Sequence, residues 1–165
     1  MLDLVLYPDE RLRALSEPVK NVNGEVATLA RTMIDTMERE KGIGLAGVQV
    51  GTMARLFVTS LPDDKPRVFI NPTVTNRSEE TSTYEEGCLS FPGLYADIVR
   101  SNACTVEAID EHGKPFRLDV EGMLARVVMH ELDHLDGVLF VDHLPERKQN
   151  RLLKRYERLL AKARA

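Results

Sequence analysis

The sequence predicts an α+β fold, with antiparallel β-sheets packed around a central helix. Three observations lead to this prediction. Five short runs in the middle of the chain are alternating or apolar, and turn residues such as those of LPDDKP and DEHGKP separate them. Helical spacing of apolar residues appears before these runs, after them and again at the end of the chain. Finally, strands followed by one central helix lack the regular strand–helix alternation that is typical of a parallel sheet.

The first third of the chain is predicted to contain a turn, a helix and an irregular loop. YPDERLR, residues 7–13, is typical of a turn. A helix is expected from about Glu25 to Lys41, ended by Gly42. GIGLAGVQVG, residues 42–51, contains four glycines and predicts a loop that brings backbone close to another group. The apolar positions of the helix are Val26, Leu29, Met33, Ile34 and Met37.

The remaining elements are the strands and two further helices. A helix is predicted from Gly122 to about Asp136–Gly137, and EGCLSFPG, residues 86–93, is placed between strands. An amphipathic helix follows Pro145. The predicted strands are Arg55–Thr59, Val68–Ile70, Thr81–Tyr84, Cys104–Ile109 and Phe116–Val120. The apolar stripe of the last helix is Leu152, Leu153, Tyr156, Leu159 and Leu160.

Length and composition are those of an ordinary globular protein. The 165 residues suit one domain, residues 1–165, with a basic C-terminal helix at 147–165. That tail carries eight Lys and Arg and one acid, hence +7, and the rest of the chain carries −11. The N-terminus lacks the features of a signal peptide, and no apolar run is long enough to span a bilayer. We therefore expect a cytoplasmic protein that has neither a membrane nor a DNA partner.

HELDH, residues 130–134, is the motif that carries chemistry. Residues four apart on a helix project from one face, so His130 and His134 can ligate one metal ion. Glu131 then lies beside the ion, where it can accept a proton from water. A solvated helix surface would also explain two histidines. Val127 and Leu132 favour a buried helix, in which an uncompensated acid would be costly.

A catalytic metal site needs a third ligand, and several residues could supply it. Cys88 ranks first, because a neighbouring cation stabilises a thiolate and glycine leaves access on one side. His112 sits in a turn that is expected to be exposed, and His143 suits a surface or capping position. Cys104 belongs to the apolar alternation CTVEAI and suits core packing. The acids Glu86 and Asp142 also remain candidates.

Three segments together resemble a known family. GIGLAGVQ, EGCLS and HELDH, in this order, are similar to the signature motifs of bacterial peptide deformylases. YPDERLR and INP, residues 70–72, also match the family pattern, so the resemblance covers most of the chain. It implies metal-dependent hydrolysis of the formyl group from the N-terminal formyl-methionine of nascent polypeptides, with release of formate.

The resemblance also implies a role for each matching residue. Cys88, His130 and His134 are the implied ligands of one divalent metal, most often Fe²⁺, with Ni²⁺, Co²⁺ or Zn²⁺ as substitutes. Glu131 is the implied general acid and base. The remaining implied roles are oxyanion stabilisation by Gln49 and the Leu89 N–H, and backbone binding of substrate as an added strand at Ile43, Gly44 and Gly87.

Two residues depart from the usual family pattern, and three other features of the chain suggest supporting roles. Gly47 replaces an alanine and Met129 a glutamine that are common in the family; losing the methyl is expected to loosen the loop that places Gln49. Asp133 and Glu86 are candidates for orienting a ligand. The basic tail suits rRNA phosphates, and its deletion is expected to weaken ribosome binding while sparing peptide activity.

Two other functions compete with the deformylase interpretation. A zinc endopeptidase would use HExxH with a histidine or glutamate as third ligand, and it would cleave internal peptide bonds. A non-catalytic relative would bind nascent N-termini or ribosomes without hydrolysis. Retention of Gln49, Cys88 and Glu131 argues against the second alternative, because a binding protein has no need of the acid/base.

Overall fold

A computed structural model describes residues 2–164, and it confirms the α+β class with antiparallel sheets around the helix that bears HExxH. The helices are α1 (Gly24–Arg39), α2 (Gly122–Leu135) and α3 (Glu146–Arg164), with short 3₁₀ helices at Glu10–Arg13, Gly47–Val50 and Phe140–His143. The strands are β1 (Gly44–Ala46), β2 (Leu56–Thr59), β3 (Arg67–Thr75), β4 (Thr81–Gly87), β5 (Tyr95–Ser101), β6 (Ala103–Ile109) and β7 (Pro115–Glu121).

The strands form two antiparallel sheets. A five-stranded sheet has the order β1-β2-β3-β6-β7, and β4 pairs with β5 in a separate ribbon. In the larger sheet Gly44 is opposite Thr59, and in the ribbon Glu86 is opposite Ala96. Within the described residues, β1 and β4 each have a strand partner on one side only. Both strands line the same cleft, so each presents a free backbone edge there.

Helix α1 begins and ends through local side-chain and backbone effects. The Asn23 side chain accepts a hydrogen bond from the Val26 N–H at 3.1 Å, which satisfies one of the free donors of the first turn. The helix ends at Arg39, because Lys41 adopts a left-handed conformation with φ of 60°. The predicted end at about Lys41 was therefore two residues too late, and Lys41 rather than Gly42 makes the reversal.

The sequence prediction missed two strands. The segment 42–51 is not wholly irregular, because residues 44–46 pair with β2 as strand β1. Strand β5 was not predicted, and Glu86 and Gly87 belong to its partner β4 rather than to a loop. The pattern was weak in both places: β1 has three residues, and the exposed face of β5 carries the large apolar side chains Tyr95 and Val99.

Helix α2 lies in the centre of the molecule. Ten of its fourteen residues are buried, including Arg126, His130, Glu131 and His134. A helix that is buried on nearly all sides must have partners for its polar groups. The α2 side chains pack into the larger of two hydrophobic clusters, which also receives residues from both sheets and from α3.

Helix α3 is basic and mostly exposed, but one of its side chains belongs to the core. Tyr156 is 1% exposed, whereas Leu152, Leu153 and Leu160 are half-buried against the same hydrophobic cluster. The predicted stripe therefore packs on the body, with Leu159 left at its exposed edge. None of the helices within residues 2–164 has the length and apolar character that a membrane crossing requires.

Candidate metal centre and active site

Three metal-ligating side chains converge at the inner end of the cleft. His130 and His134 extend from one face of α2 with their ring centroids 5.2 Å apart. Cys88, just after β4, places its Sγ 3.3 Å from His134 Nε2. The potential ligand atoms of all three residues lie within 4.8 Å of one another. One thiolate and two imidazoles suit a transition metal or zinc, and three protein ligands leave a coordination position for water.

The other candidate ligands lie elsewhere or have other partners. His112 is exposed in the β6–β7 turn, beside Glu111. His143 Nε2 contacts Asp133 Oδ2 at 2.8 Å, outside the ligand cluster. Asp142 accepts the Leu139 N–H at the start of a 3₁₀ helix. Cys104 is buried within β6 and Glu86 contacts a ligand, so Cys88 is the candidate that geometry places with the two histidines.

His130 is oriented by Glu86, and its pKa is raised by its polar neighbours. Its Nδ1 lies 2.9 Å from Glu86 Oε1, which leaves Nε2 to face the ligand cluster. Burial opposes a positive charge on His130, but the hydrogen-bonding Cys88 and Glu86 outweigh it and raise its pKa to about 10. This site therefore favours a cation at His130 Nε2, and a proton and a metal ion would compete for it.

Glu86 has further partners of its own. Arg100 donates from Nε to Oε2 at 2.7 Å and from Nη2 to Oε1 at 3.1 Å, and Arg126 Nη1 donates to Oε2 at 2.6 Å. Burial alone would raise the Glu86 pKa, yet hydrogen bonds to His130 and Arg100 outweigh it and lower that pKa well below its usual range. Glu86 therefore stays ionised, and Arg100 connects it to Asp133 at 3.0 Å.

Sequence reasoning missed the two arginines of this network. Arg126 sits inside the run LARVVM, where a buried helical stripe would ordinarily be apolar, and that contrast was an available signal. Arg100 lies on β5, the strand that was not predicted. Glu86 and Asp133 were both anticipated as ligand-orienting acids, and the structure places Glu86 directly on His130 and Asp133 on Arg100.

Glu131 lies beside the ligands with one oxygen free. Its Oε2 is 4.0 Å from His130 Nε2, and its buried Oε1 has no hydrogen-bond partner within residues 2–164. Burial raises the pKa of Glu131 to about 7. A carboxyl with this pKa can both accept and release a proton near neutral pH. A substrate group or a water molecule could donate the hydrogen bond that Oε1 lacks.

Gly44 permits the close approach of the first motif to α2. A Cβ at this position would lie 2.5 Å from Glu131 Oε2 and 2.8 Å from Val127 Cγ1. With any other residue at this position, the Glu131 carboxylate and Val127 or strand β1 itself would have to move. The prediction that the glycine-rich segment brings backbone close to a functional group is correct at Gly44.

Gln49 is firmly placed. Its Oε1 accepts the Ala46 N–H at 2.9 Å, and its Nε2 donates to Ser90 Oγ at 3.1 Å. The same Nε2 lies 3.5 Å from Cys88 Sγ. With these contacts and 1% exposure, Gln49 has little freedom. Its Nε2 thus has one short hydrogen bond, to Ser90, and one long contact to sulfur within the described residues.

Close packing around residue 47 explains why glycine is suited to this position. A Cβ there would lie 2.7 Å from the Ala54 carbonyl oxygen and 3.0 Å from Thr52 Cγ2. The backbone oxygen cannot yield as a flexible side chain could. Glycine in this chain is therefore compatible with a well-placed Gln49, contrary to the expectation that the missing methyl would loosen the loop.

The cleft in front of these residues has a volume of about 560 Å³. Ile43, Gly44 and Gly87 border it, and Gln49, Cys88, His130 and Glu131 form its inner end. Ile43, Met123 and Val127 supply an apolar wall, with Tyr84 and Tyr95 exposed near the mouth. A narrow apolar cleft with a few convergent polar groups at its end is typical of a substrate site.

Comparisons with known proteins agree with this geometry. Residues 1–150 match the family model described as polypeptide deformylase. The chain is 48% identical to the peptide deformylase of Psychrobacter cryohalolentis over 162 residues, covering 97% of this chain and 88% of that protein. For the Neisseria meningitidis peptide deformylase the identity is 46%, with 92% of each chain covered.

Solved structures show the same likeness. The crystal structure of peptide deformylase from Ehrlichia chaffeensis superposes with a TM-score of 0.94 at 34% identity, covering 100% of this chain and 99% of that one. For the enzyme from Thermus thermophilus the TM-score is 0.91 at 40% identity, with 98% and 96% covered. The chain belongs to the peptide deformylase family, and it is a metal-dependent hydrolase that removes the N-formyl group from nascent polypeptides.

Proposed function

We propose that Cys88, His130 and His134 hold one divalent metal ion and that Glu131 is the acid/base of deformylation. The observation that carries this proposal is the convergence of the three ligand atoms within 4.8 Å beside a buried carboxylate oxygen that has no partner among the described residues. The endopeptidase alternative predicts a histidine or glutamate as third ligand, and the cysteine in this position argues against it.

We further propose Fe²⁺ as the ion in the cell, with Ni²⁺, Co²⁺ and Zn²⁺ as substitutes. The mixed thiolate and imidazole donors are compatible with all four. When bound, the ion supplies a Lewis acid and lowers the pKa of a water molecule toward neutrality. Cys88 and iron can both be oxidised, so an iron-loaded enzyme is expected to lose activity in air.

In this proposal the side chains divide the work of hydrolysis. Glu131 takes a proton from the attacking water, whose oxygen bonds to the formyl carbon. Gln49 Nε2 and the Leu89 N–H donate hydrogen bonds to the carbonyl oxygen as it becomes negative. Glu131 then returns the proton to the departing nitrogen, the C–N bond breaks, and formate and a free amine remain.

The free edges of β1 and β4 support a strand-like mode of substrate binding. An extended peptide between these edges would pair with backbone groups near Ile43, Gly44 and Gly87. Its first side chain would enter the apolar part of the cleft, where Ile43, Met123 and Val127 suit the unbranched methionine chain. We propose that the described fold acts as one catalytic domain, residues 1–165.

The decisive test is formate release from a short formyl-Met peptide by protein loaded with Fe²⁺ or Ni²⁺ without oxygen. Wild type should release formate in a metal-dependent way, and Glu131→Gln, which keeps the shape of the side chain, should be slower by about 10²- to 10⁴-fold. The unformylated peptide controls for cleavage of internal bonds. Full activity in Glu131→Gln would exclude the proposed acid/base, and internal cleavage would favour an endopeptidase.

We also propose that α3 binds the ribosome and that the protein works in the cytoplasm, where formylated chains are made. All eight basic residues of the tail are exposed, as contact with rRNA phosphates would require. The buried Tyr156 makes deletion of the tail an unclean test, so charge reversal is preferable. The triple variant Arg151→Glu, Lys154→Glu and Arg158→Glu should co-sediment less with ribosomes. Its remaining ribosome binding should also depend less on salt concentration.

A matched variant controls for net charge. Lys20→Glu, Arg31→Glu and Lys114→Glu change the charge by the same amount at exposed positions outside α3. Ribosome co-sedimentation of this control should resemble wild type. Equal loss in both triple variants would show a general charge effect and would exclude α3 as the binding element.

A further inference from the structure

One side chain of α3 reaches the core beside residues 88–94, the loop that follows β4. Tyr156 is 1% exposed, although its neighbours Arg155 and Glu157 are exposed. Its ring lies 5.3 Å from that of Phe91 and 6.1 Å from that of Tyr7, centroid to centroid. The C-terminal helix therefore inserts an aromatic anchor between the N-terminal segment and the loop that follows β4.

Phe91 is the centre of this aromatic cluster. Its ring stacks on Tyr7 at 4.7 Å and meets Phe140 edge-on at 5.3 Å, so Tyr156 closes the remaining side. Leu159, one turn further along α3, covers the same loop, because a Cβ on Gly93 would lie 3.7 Å from Leu159 Cδ1. Residues 91–93 are thus held on several sides by aromatic and aliphatic contacts.

Phe91 is joined directly to the turn that carries the sulfur ligand. The Phe91 N–H donates to the Cys88 carbonyl at 2.9 Å, closing a turn over residues 88–91. Inside that turn Ser90 donates to the Val5 carbonyl at 2.8 Å and accepts from Gln49 Nε2 at 3.1 Å. A shift of the Phe91 ring would therefore move Cys88, the Leu89 N–H and the partner of Gln49 together.

We propose that Tyr156 is a positioning residue for the metal centre, holding the 88–91 turn through Phe91, so that α3 is a working part of the active site. Side chains that orient ligands from outside the metal's own shell commonly control how well the metal is held. The inference rests on the proposed role of Cys88 as a ligand. It runs contrary to the sequence-based expectation that the tail can be removed without loss of peptide activity.

The ring of Tyr156, rather than its hydroxyl, carries this role. The hydroxyl is buried and has no hydrogen-bond partner within residues 2–164. Tyr156→Phe keeps the contacts with Phe91 and Tyr7 and removes only that unpaired group. It should therefore behave as wild type, whereas Tyr156→Ala and Tyr156→Leu remove the ring.

The test uses full-length protein loaded with Co²⁺, whose thiolate charge-transfer absorption reports the bond to Cys88. Metal loss is followed by that absorption after addition of excess chelator, and kcat and KM are measured on a formyl-Met peptide. Phe69→Ala serves as the matched control, because Phe69 is a fully buried ring that contacts Phe57 and Phe116 instead. Thermal unfolding of each variant shows how far it is destabilised.

Tyr156→Ala and Tyr156→Leu should lose Co²⁺ about 10-fold faster than Tyr156→Phe, because loss of a group that orients a ligand weakens metal binding. Their thiolate absorption should be weaker and their kcat lower. Phe69→Ala should lose stability without a comparable change in metal release. The inference would be overturned if Tyr156→Ala and Tyr156→Leu kept the wild-type rate of metal release and the wild-type thiolate absorption. It would also be overturned if Phe69→Ala changed both quantities by the same amount as these two variants. Absence of a thiolate band in wild type would instead contradict Cys88 as a ligand.

Discussion

The two histidines of HELDH, which are the proposed metal ligands, lie one helical turn apart on α2, yet their surroundings are opposite. His130 Nδ1 meets Glu86, an ionised carboxylate that Arg100 and Arg126 hold in turn. His134 Nδ1 is buried with no hydrogen-bond partner among the described residues. Burial lowers the His134 pKa well below its usual value, helped by the charge of His130, whereas the pKa of His130 is raised.

This difference shows that equal positions in a motif need not be equally supported. His130 is oriented by Glu86 of β4, which Arg100 of β5 and Arg126 of α2 hold in turn, and its pKa is raised by Cys88, Glu86 and Glu131. His134 depends on packing and on the rigidity of the helix for its position. We therefore expect the site to respond very unequally to changes around its two ligands.

Removal of either ligand should produce the largest effect. His130→Ala and His134→Ala should both abolish stoichiometric binding of Co²⁺ and activity, because two remaining ligands cannot hold the ion in competition with water. Metal content after gel filtration measures the result. Stoichiometric metal in one of the two variants would show that the histidine in question is not a ligand.

Glu86→Gln should sharpen the contrast. Of the two histidines it touches only His130, although it also weakens the contacts with Arg100 and Arg126. Metal affinity should fall by about 10- to 100-fold, as measured by competition with a chromophoric chelator. Asp133→Asn is the matched control, because Asp133 also contacts Arg100 but does not touch His130. Similar affinities in both variants would show that the network acts through the general field of its charges and not through His130.

The two arginines should differ in what their loss affects. Arg100 contacts both oxygens of Glu86, including Oε1, which faces His130. Arg126 contacts only Oε2 of Glu86, together with the carbonyl oxygens of Ile98 and Ser82. Arg100→Met should therefore weaken metal binding more, by less than about 10-fold. Arg126→Met should mainly lower stability, since each lost charged hydrogen bond is worth about 1.5–3 kcal/mol. The reverse order would contradict this division.

The smallest expected effect is on stability in acid. A carboxyl whose pKa is lowered in the folded state stabilises the fold above its ordinary pKa of 4.5, and this contribution is lost as the pH falls through the folded value. In metal-free protein the difference in unfolding free energy between wild type and Glu86→Gln should thus be largest between about pH 5 and pH 6.5 and shrink as the pH falls below this range. It should also shrink as the pH rises toward 10, because Glu86 helps to raise the pKa of His130 to about 10. Urea titrations at several pH values measure it, and a pH-independent difference would show that ionised Glu86 contributes nothing.

The candidate site residues were predicted from three sequence motifs and the family resemblance, and their roles remain proposals. HELDH, EGCLS and GIGLAGVQ are local patterns, and helical spacing alone places His130 and His134 on one face. The α+β class followed from the alternation of strand-like runs, and α2 and α3 were predicted within one or two residues of their observed bounds. Strands β1 and β5 were missed, because a three-residue strand and a strand with exposed apolar residues have no clear period.

Other features depended on contacts between segments far apart in the chain. Arg126 lies in an apolar run of the sequence, and its partner Glu86 is 40 residues earlier in the chain. Tyr156 looked like one more member of an amphipathic stripe, yet it alone among the α3 side chains is fully buried, against Phe91 and Tyr7.

Residue types ranked Cys88 first among several candidate third ligands, and the family resemblance supplied the full set of proposed ligands. The fold class and the shared face of His130 and His134 could thus be inferred from residue types and their spacing, because chemistry and local periodicity are properties of short segments. The support of each ligand could not. Three such features depend on which distant segments pack together. They are the charged partner of His130, the space for a methyl group at Gly47 and the contact of α3 with the loop that follows β4. That packing is set by the burial of the whole chain, so only the tertiary structure decides it.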